Sequence, residues 1–343
     1  ATFLGVTGTN GKSTTTTLLG AILKEAGLPS HVAGNIGTPL CGVAPDLSAG
    51  NLVVTELSSF QLETIERFRP HVALLLNLAP DHLDRYDRVE DYYQAKARLF
   101  ENQAPSDVAV VNADDPMVLD AARKAVAKRV AFSRRQRLAE GAYLDADQLI
   151  VALSGTRETI CRWNEVRIQG VHNLENALAA SLAAALVGAP TKAIRRGLIR
   201  FEGLEHRLEF VAEVDGVQYV NDSKGTNVGA VARSLESFTV PLVLIAGGQD
   251  KMSDFTPLAP LVRERVKRLI LIGQAAAKLQ AQLDGVCAME EAGSLEEAVQ
   301  RAASVASPGE VVLLSPACAS FDMFADFEER GRVFKEAVRR LAS

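Results

Sequence analysis

The sequence predicts an α/β protein of two domains, each built on a mostly parallel sheet. Short apolar runs such as NLVVTELSS (51–59) and PLVLIAGG (241–248) alternate with stretches of helical periodicity, as in folds where helices cover a parallel sheet. The length of 343 residues also exceeds the usual size of one hydrophobic core. RFEGLEHRLEF (200–210) looks like a junction, so we expect one domain at 1–203 and a smaller, Rossmann-like α/β domain at 204–343.

The elements of the first domain follow in chain order. TFLGVT (2–7) is a short apolar strand, and STTTTLLGAILKEAG (13–27) has leucine and isoleucine at helical spacing, with Gly27 just past its end. The same criteria predict further strands at 51–59, 71–79 and 107–114 and helices at 88–103, 116–127 and 172–189. Residues 134–170 are more irregular, with short alternating pieces such as QLIVAL (148–153).

The second domain begins with a predicted hairpin. LEFVAEVDGVQYVND (208–222) turns at Asp215-Gly216, a dipeptide typical of tight hairpin turns. Helical stretches separate the apolar strands that follow, and a last helix closes the chain. The strands are expected at 241–248, 267–273 and 310–317, and the helix at 327–342.

Composition and charge exclude several classes of protein. The net charge is −5 with both signs interspersed, so the chain has no basic field that would hold nucleic acid. The four cysteines are far apart and form no C-x-x-C pair, which disfavours a zinc knuckle or a disulfide framework. The apolar runs are too short to cross a bilayer. We therefore expect a cytoplasmic monomer that acts on small molecules and binds neither nucleic acid nor membrane.

VTGTNGKST (6–14) joins the first strand to the first helix and is similar to a nucleotide-binding P-loop. In such a loop, backbone N–H groups and a helix N-terminus face the phosphates, the lysine pairs with phosphate oxygens, and the next hydroxyl binds magnesium. Val6 stands where the consensus has its first glycine, but the chain is still leaving the strand there. We therefore predict a P-loop ATPase-type domain that binds ATP and Mg²⁺ through Gly8, Thr9, Asn10, Gly11, Lys12, Ser13 and Thr14.

Within this loop, Lys12 is assigned to the phosphates and Ser13 to the metal, with Thr14 as the alternative metal ligand. The other interpretation is a glycine-rich helix start with a solvated lysine. The strand before the loop and the helix after it favour the phosphate site.

Three further residues are candidates for the same site. Glu56 ends the strand 51–59, where an acid at the carboxyl edge of a parallel sheet faces a nucleotide crevice and serves as a Walker-B acid; the alternative is a solvated carboxylate. His82 lies between two aspartates in DHLDRY (81–86), a pattern that indicates a second metal site. The alternative is a hydrogen-bonded turn. Lys96, from its helical pattern alone, is expected to be an exposed lysine.

Several motifs together resemble the Mur ligase superfamily of ATP-dependent amide-forming enzymes. They span nearly the whole chain and read GTNGKST (8–14), GNIG (34–37), ELSSFQLE (56–63), DHLDRY (81–86), HNLENALAA (172–180), EHR (205–207) and NDSKGTN (221–227). ELSSFQLE and SPACASFDMFADFEERG (315–331) look most like the branch that uses D-glutamate. A DNPR-type motif, typical of the branch that adds a diamino acid, is missing from the sequence.

The resemblance implies roles for individual residues. His82 matches a ligand of a second magnesium ion, and Lys96 matches a lysine that this family carbamylates, which would turn it into an anionic metal ligand. Asn35 matches a residue that contacts the acceptor substrate. The residues matching contacts to the nucleotide are Asn173, Asn176, Arg207 and Asp222. Those matching the amino-acid site are Lys224, Thr226, Lys251, Ser320 and Phe327.

Plainer interpretations stand beside these roles. Asn173 and Asn176 could cap the helix they open, Arg207 could form a linker ion pair, and Phe327 could belong to the core. One departure from the family pattern is Asp250 in GGQDK, where the family usually has glycine before the lysine.

The function implied by the resemblance is ATP-dependent ligation of D-glutamate to UDP-N-acetylmuramoyl-L-alanine, through an acyl phosphate, in peptidoglycan precursor synthesis. The family normally carries an N-terminal domain that binds the uridine nucleotide, whereas this chain begins at the ATPase strand. We therefore expect either a shortened chain or a natural two-domain relative. The alternatives are a two-domain ligase similar to folylpolyglutamate synthase and a non-catalytic ATP-binding module.

Overall fold

The computed structural model describes residues 1–83, 85–168 and 170–341, and it divides into two compact units. The first unit contains Ala1–Asp81 and Tyr86–Gly203, and the second contains His82–Arg85 and the chain from Leu204 onwards. Within the described part of the chain, no helix combines the length and the apolar character that a membrane crossing requires.

The first unit is built on a sheet to which its described residues contribute nine strands. In chain order they are β1 (Thr2–Thr7), β2 (Ser30–Gly34), β3 (Leu52–Glu56), β4 (Val72–Leu75), β5 (Val108–Asn112), β6 (Lys128–Ser133), β7 (Gly141–Asp145), β8 (Gln148–Leu153) and β9 (Thr156–Arg162). Their order across the sheet is β2-β3-β1-β4-β5-β6-β7-β8-β9. All pairs from β2 to β7 are parallel, and β7-β8-β9 is an antiparallel meander.

Helices connect and cover these strands. They are α1 (Lys12–Glu25), α2 (Leu40–Val43), α3 (Ser59–Leu62), α4 (Val89–Ala97), α5 (Pro116–Ala121), α6 (Val171–Leu186) and α7 (Thr191–Arg200). The alanine-rich α6 is almost wholly buried, and it packs against α1. Helix α7 lies so close to α1 that a Cβ at Gly197 would sit 2.8 Å from the Cα of Ile22. Small side chains at these crossings bring the helices together at short range.

Several predicted boundaries differ from the structure, and the predicted strands at 51–59 and 71–79 end earlier, at Glu56 and Leu75. The helix expected at 88–103 is α4 followed by a 3-10 turn at Arg98–Phe100. The helix expected at 116–127 stops at Ala121, and β6 begins at Lys128. Within the region that showed only short alternating pieces, residues 141–162 form the β7-β8-β9 meander. Period-two patterns this short are hard to separate from loop sequence.

The second unit has a sheet with the strand order β10-β11-β15-β12-β13-β14. Its strands are β10 (Glu209–Val214), β11 (Val217–Asn221), β12 (Leu242–Gly247), β13 (Val266–Ile272), β14 (Ala288–Glu291) and β15 (Val311–Leu314). The β10-β11 pair is the predicted hairpin, with positive φ at both Asp215 (51°) and Gly216 (76°), and the other pairs are parallel. This turn geometry explains the Asp-Gly sequence.

Helices cover both faces of the second sheet. They are α8 (Val228–Glu236), α9 (Ala259–Arg265), α10 (Ala276–Gln282), α11 (Leu295–Val305) and α12 (Phe327–Leu341). Successive strand residues point into opposite apolar clusters: Leu244 packs in one and Ile245 in the other. The predicted fold class, a P-loop-type mostly parallel sheet followed by a smaller Rossmann-like α/β unit, is confirmed.

Candidate functional site

The candidate phosphate loop, residues 8–11, joins the carboxyl end of β1 to the first turn of α1. Gly11 is the N-cap residue of α1 and has φ 84°, a conformation that favours glycine. A Cβ at Gly11 would lie 2.3 Å from Oδ1 of Asn176 on α6, so a side chain there would require that amide to move. The loop therefore leads into a helix N-terminus, whose first backbone N–H groups form the arrangement that binds phosphate.

Asn77, just beyond β4, holds this loop in place. Its Oδ1 accepts a hydrogen bond from the backbone N–H of Asn10 at 2.8 Å, and its Nδ2 donates to the carbonyl oxygen of Asn10 at 3.0 Å. Its own carbonyl oxygen accepts from the N–H of Thr9 at 3.0 Å. Asn77 is buried and was not among the predicted site residues. The sequence feature that could have identified Asn77 is its position just after an apolar strand of a parallel sheet.

Lys12, Ser13 and Thr14 are the loop residues whose side chains have predicted phosphate and metal roles. Lys12 Nζ donates to the carbonyl oxygens of Gly8 (3.0 Å) and Thr9 (2.9 Å), so its ammonium group lies over the loop. Ser13 is buried, and the Thr14 hydroxyl is buried with no hydrogen bond to the described residues. The assignment of Ser13 rather than Thr14 to a metal stays a prediction.

Glu56 and Asn35 lie together at the carboxyl ends of β3 and β2. Asn35 Nδ2 donates to Glu56 Oε1 at 3.0 Å, and the backbone N–H of Asn35 donates to the carbonyl oxygen of Glu56 at 2.9 Å. Glu56 is 2% exposed, and its Oε2 is buried without a hydrogen bond from the described residues. The expectation of a solvated carboxylate is therefore wrong, and one carboxylate oxygen has a lone pair available for a ligand.

Lys96 on α4 is 1% exposed, so the exposed lysine expected from the helical pattern is wrong. Its Nζ lies 4.6 Å from the ring centroid of Tyr92, whose hydroxyl donates to Thr9 Oγ1 at 3.3 Å. Burial, helped by the nearby charge of Lys12, lowers the pKa of Lys96 well below its usual value, against the opposing charges of Asp81 and Glu56. The amine thus lies among the candidate phosphate lysine and two acids.

His82 belongs to the second unit and has a positive φ of 55°. Of the two aspartates flanking it in the sequence, Asp84 lies outside the described residues. The metal-ligand role of His82 therefore stays a prediction.

Two predicted nucleotide contacts, Asn173 and Asn176, lie on α6 and are buried. The N-cap of α6 is Gly170, so neither asparagine caps that helix. Thr15 Oγ1 of α1 donates to Asn176 Oδ1 at 3.1 Å, and Asn176 Nδ2 donates to Asn173 Oδ1 at 3.3 Å. This chain of side chains ends against Gly11, which places both amides beside the phosphate loop.

In the second unit, Asp222 is buried at the end of β11. Its Oδ2 accepts hydrogen bonds from the hydroxyls of Ser234 and Ser315, both at 2.7 Å. Burial raises the pKa of Asp222, while these hydroxyls and the charge of Arg207 act in the opposite direction. The carboxylate predicted to contact the nucleotide is thus also bonded within its own unit.

The predicted amino-acid residues of the second unit lie on loops at the carboxyl edge of its sheet. Lys224 Nζ is 5.0 Å from the ring centroid of Phe327, which is half-buried at the start of α12 and so is not a core residue. Ser320 is buried, and the backbone N–H of Thr226 donates to the carbonyl oxygen of Lys224 at 2.9 Å. Edges of this kind are where α/β folds bind ligands.

The segment containing Lys251 departs from the family pattern at Asp250, and the structure shows what that residue does. Asp250 Oδ2 accepts from Lys278 Nζ at 2.7 Å, and its Oδ1 accepts from the backbone N–H of Ser253 at 2.9 Å. Its charge is thus paired with Lys278, and Lys251 is partly buried beside it.

Comparison with known proteins gives the family. A model described as the Mur ligase middle domain matches residues 6–184, and one described as the Mur ligase, glutamate ligase domain matches residues 206–318. The chain is 49% identical over 340 residues to the UDP-N-acetylmuramoylalanine--D-glutamate ligase of Pelotomaculum thermopropionicum, covering 98% of this chain and 75% of that protein. A ligase of the same name from Geotalea daltonii is 49% identical over 342 residues, with 100% and 75% covered.

Solved structures with the same fold are more distant in sequence. A pseudomurein peptide ligase type C from Methanothermus fervidus matches with a TM-score of 0.77 at 19% identity, covering 99% of this chain and 79% of that one. MurF ligase from Thermotoga maritima, solved in complex with ADP, has a TM-score of 0.72 at 17% identity, with 99% and 81% covered. The resemblance predicted from the motifs is confirmed, and the chain belongs to the Mur ligase family.

Proposed function

We propose that this chain catalyses ATP-dependent amide bond formation, adding D-glutamate to UDP-N-acetylmuramoyl-L-alanine in peptidoglycan precursor synthesis. The observation that carries the proposal is 49% identity, over 98% or more of the chain, to two proteins named for that activity. The acceptor's carboxylate would first be phosphorylated, and the amine of D-glutamate would then displace phosphate. We assign residues 1–203 to the ATP-binding domain and 204–343 to the amino-acid-binding domain.

The first unit supports ATP binding through its loop. Gly11, the α1 N-terminus and Lys12 form a phosphate cradle, and the amides of Asn173 and Asn176 lie beside it. Lys12 would leave the carbonyl oxygens it now contacts and pair with phosphate oxygens, offsetting the charge that repels an incoming carboxylate. Asn35, bonded to Glu56, would face the acceptor.

The donor atoms around the loop fit magnesium. Hard oxygen ligands suit Mg²⁺, and Glu56 Oε2 and the Thr14 hydroxyl are buried oxygens that make no hydrogen bond to the described residues. In the first unit we assign Ser13, with Thr14 as the alternative, together with Glu56 and Lys96, as metal ligands. His82, in the second unit, stays a predicted ligand of a second ion. When bound, Mg²⁺ neutralises phosphate charge and orients the transferred group.

We further assign Lys96 as a carbamylated residue. Only a neutral amine attacks carbon dioxide, and burial, which lowers the pKa of Lys96 well below its usual value, increases the neutral fraction of this amine. The amine nitrogen bonds to the carbon of carbon dioxide and loses a proton, which leaves an anionic carbamate. Lys12 beside it would then stabilise the new negative charge.

In the second unit, cations and hydroxyls suit a dicarboxylate amino acid. Lys224, Thr226, Lys251 and Ser320 offer these groups, and Phe327 gives an apolar wall beside Lys224. Arg207 and Asp222 are assigned to the nucleotide. The residues of the amino-acid site would orient the amine of D-glutamate for attack on the activated carboxyl carbon of the acceptor.

A phosphate-release assay tests the proposal. We expect release that requires ATP, the muramoyl-alanine acceptor and D-glutamate together, on this chain and on a version carrying a relative's N-terminal segment. Release with L-glutamate and a folate instead would favour the folylpolyglutamate alternative, for which E. coli FolC in complex with ADP (TM-score 0.72, 16% identity) supports the fold alone. Calorimetric ATP binding without any release would favour a non-catalytic module.

A further inference from the structure

Arg330, in the first turn of α12, has the largest fully buried side chain of the described residues, with 0% exposure. Its guanidinium makes five hydrogen bonds. Nε donates to Ser223 Oγ (3.0 Å), and Nη2 donates to the carbonyl oxygens of Ser223 (2.8 Å) and Cys318 (3.2 Å). Nη1 donates to the carbonyl oxygens of Cys318 and Ala319, both at 3.2 Å. One side chain therefore ties the loop after β11 to the loop after β15.

These contacts lie one residue away from candidate substrate residues. Ser223 precedes Lys224, and Ala319 precedes Ser320. The Ala319 carbonyl oxygen also accepts from the backbone N–H of Gln249 at 2.9 Å, two residues before Lys251. Arg330 thus fixes, directly or through one shared acceptor, the three loops that supply the proposed amino-acid site.

Phe327 joins the same arrangement from the start of α12. Ser223 Oγ, which accepts from Arg330 Nε, donates in turn to the Phe327 carbonyl oxygen at 2.8 Å. The helix end is thereby bonded to the loop that holds Lys224.

The acceptors around Arg330 suit a guanidinium group better than any other side chain. All its acceptors are neutral, and within the described residues no carboxylate lies within ion-pairing distance of it. Burial lowers the pKa of Arg330 to about 10, while the acidic groups of Asp322 and Asp222 act in the opposite direction. A buried cation without a carboxylate partner costs stability. The need to fill space therefore does not explain why position 330 is an arginine. A planar fork with five donors reaches both loops at once, which a lysine ammonium does not.

We propose that Arg330 is a positioning residue for the acidic amino-acid substrate, setting the spacing of the loops that carry Lys224, Ser320 and Lys251. The inference rests on the proposed function. Arg330 itself is too deeply buried to touch the substrate. Its removal should therefore weaken the site for the amino acid and leave the phosphate loop of the first unit unchanged.

The test compares Arg330→Lys and Arg330→Met with Arg332→Met, an exposed arginine on the same helix. The KM for D-glutamate should rise about tenfold or more in both Arg330 variants, with the KM for ATP changed less than about twofold. Arg332→Met should match the wild type. Ser223→Ala, which removes one acceptor of the fork, should give a smaller rise, of about threefold, and provides the test if Arg330→Met fails to fold.

Three outcomes would overturn the inference while leaving the proposed function intact. They are an unchanged KM for D-glutamate in Arg330→Lys, an equal rise in the KM for ATP, and an unchanged KM in Ser223→Ala when Arg330→Met does not fold. A wild-type chain that shows no D-glutamate-dependent phosphate release even with the N-terminal segment of a relative would instead refute the proposed function itself.

Discussion

Asn77 pairs with the backbone of Asn10 through both of its polar side-chain atoms, accepting the N–H at 2.8 Å and donating to the carbonyl oxygen at 3.0 Å. The two residues are far apart in the sequence and lie after neighbouring parallel strands, β1 and β4. A bidentate bond of this kind fixes the two peptide units on either side of the Asn10 Cα, and with them the course of the loop. The loop is therefore pre-organised by the sheet rather than by its own glycines alone.

Asn77→Ala should loosen the phosphate loop. Two buried backbone groups of Asn10 would lose their partner, which costs about 1–3 kcal/mol of unfolding free energy, and nucleotide affinity should fall about tenfold. Urea denaturation and calorimetric titration with ATP measure the two effects. Asn102→Ala is the control, since Asn102 Nδ2 also donates to two carbonyl oxygens, of Glu66 and Phe68. An Asn77 variant that keeps full nucleotide affinity would contradict the inference that Asn77 holds the phosphate loop in place.

Gly11→Ala should damage both folding and nucleotide binding. Its φ of 84° costs an alanine about 1–2 kcal/mol, and the added Cβ would clash with Asn176 Oδ1 at 2.3 Å. Gly27→Ala separates the two effects, because Gly27 has φ 69° but nothing within 4 Å of an added Cβ. Gly11→Ala should exceed Gly27→Ala in stability loss, and Asn176→Ala should relieve part of the excess. If thermal unfolding showed equal stability losses for Gly11→Ala and Gly27→Ala, the surroundings of Gly11 would accommodate the added Cβ, and the predicted clash would be wrong.

The chain order of strands and helices could be predicted because most elements carry a complete periodic signal. The apolar runs that became β1, β12 and β15 and the helical spacing that became α1 needed no tertiary information. Lys96 shows where this fails. Tyr92, one turn before it, is also buried, so both lie on the inward face of α4, but a short helix with polar residues on every side gives no clear apolar stripe.

The candidate site was predictable wherever chemistry is local in the sequence. The glycines and the lysine of the loop lie side by side, so their pattern was readable, as was an acid at the end of a strand. Asn77 and Arg330 act on residues in other segments, through hydrogen bonds that the chain forms only after folding. No spacing rule links them to Asn10 or Ser223, and single-sequence patterns do not contain such pairs.

Lys12→Ala should abolish nucleotide turnover with little loss of folding. Lys12 makes hydrogen bonds to two loop carbonyl oxygens at the surface of the loop, so its removal leaves the core intact. We expect phosphate release to fall by a factor on the order of 10³. Lys24→Ala, an exposed lysine in the last turn of the same helix, should keep wild-type turnover. Preserved ATP hydrolysis in Lys12→Ala would refute the loop assignment.

Lys96→Ala should lose most of the activity, with partial recovery in a small carboxylate such as acetate. Acetate would replace the anionic oxygens that a carbamate provides, in a cavity opened by the lost side chain. Removing carbon dioxide from the buffer should lower wild-type activity and leave the variant unchanged. ¹³C NMR with labelled carbon dioxide should show a carbamate signal that is missing in Lys96→Ala and present in Lys128→Ala, an exposed lysine. A wild-type spectrum without that signal would end the carbamate assignment.

Asp107→Asn should destabilise the first unit in a pH-dependent way. Burial opposes ionisation of Asp107, but hydrogen bonds from Arg69 Nε (2.6 Å), the N–H of Ala104 (2.8 Å) and His71 Nδ1 (3.1 Å) outweigh it and lower the pKa to about 2.

Because this pKa is below that of the unfolded chain, the carboxylate's stabilisation is complete above about pH 4 and is lost as the pH falls through about 2. Arg69 and His71 are half exposed, so we expect the variant to lose about 1–2 kcal/mol at pH 7. Urea unfolding of both proteins between pH 7 and pH 2 should show this difference shrinking with acid. Asp147→Asn, from an exposed pair with Arg162, should show a negligible difference throughout. A deficit for Asp107→Asn that stayed constant down to pH 2 would mean that lost packing, rather than lost charge, causes the destabilisation.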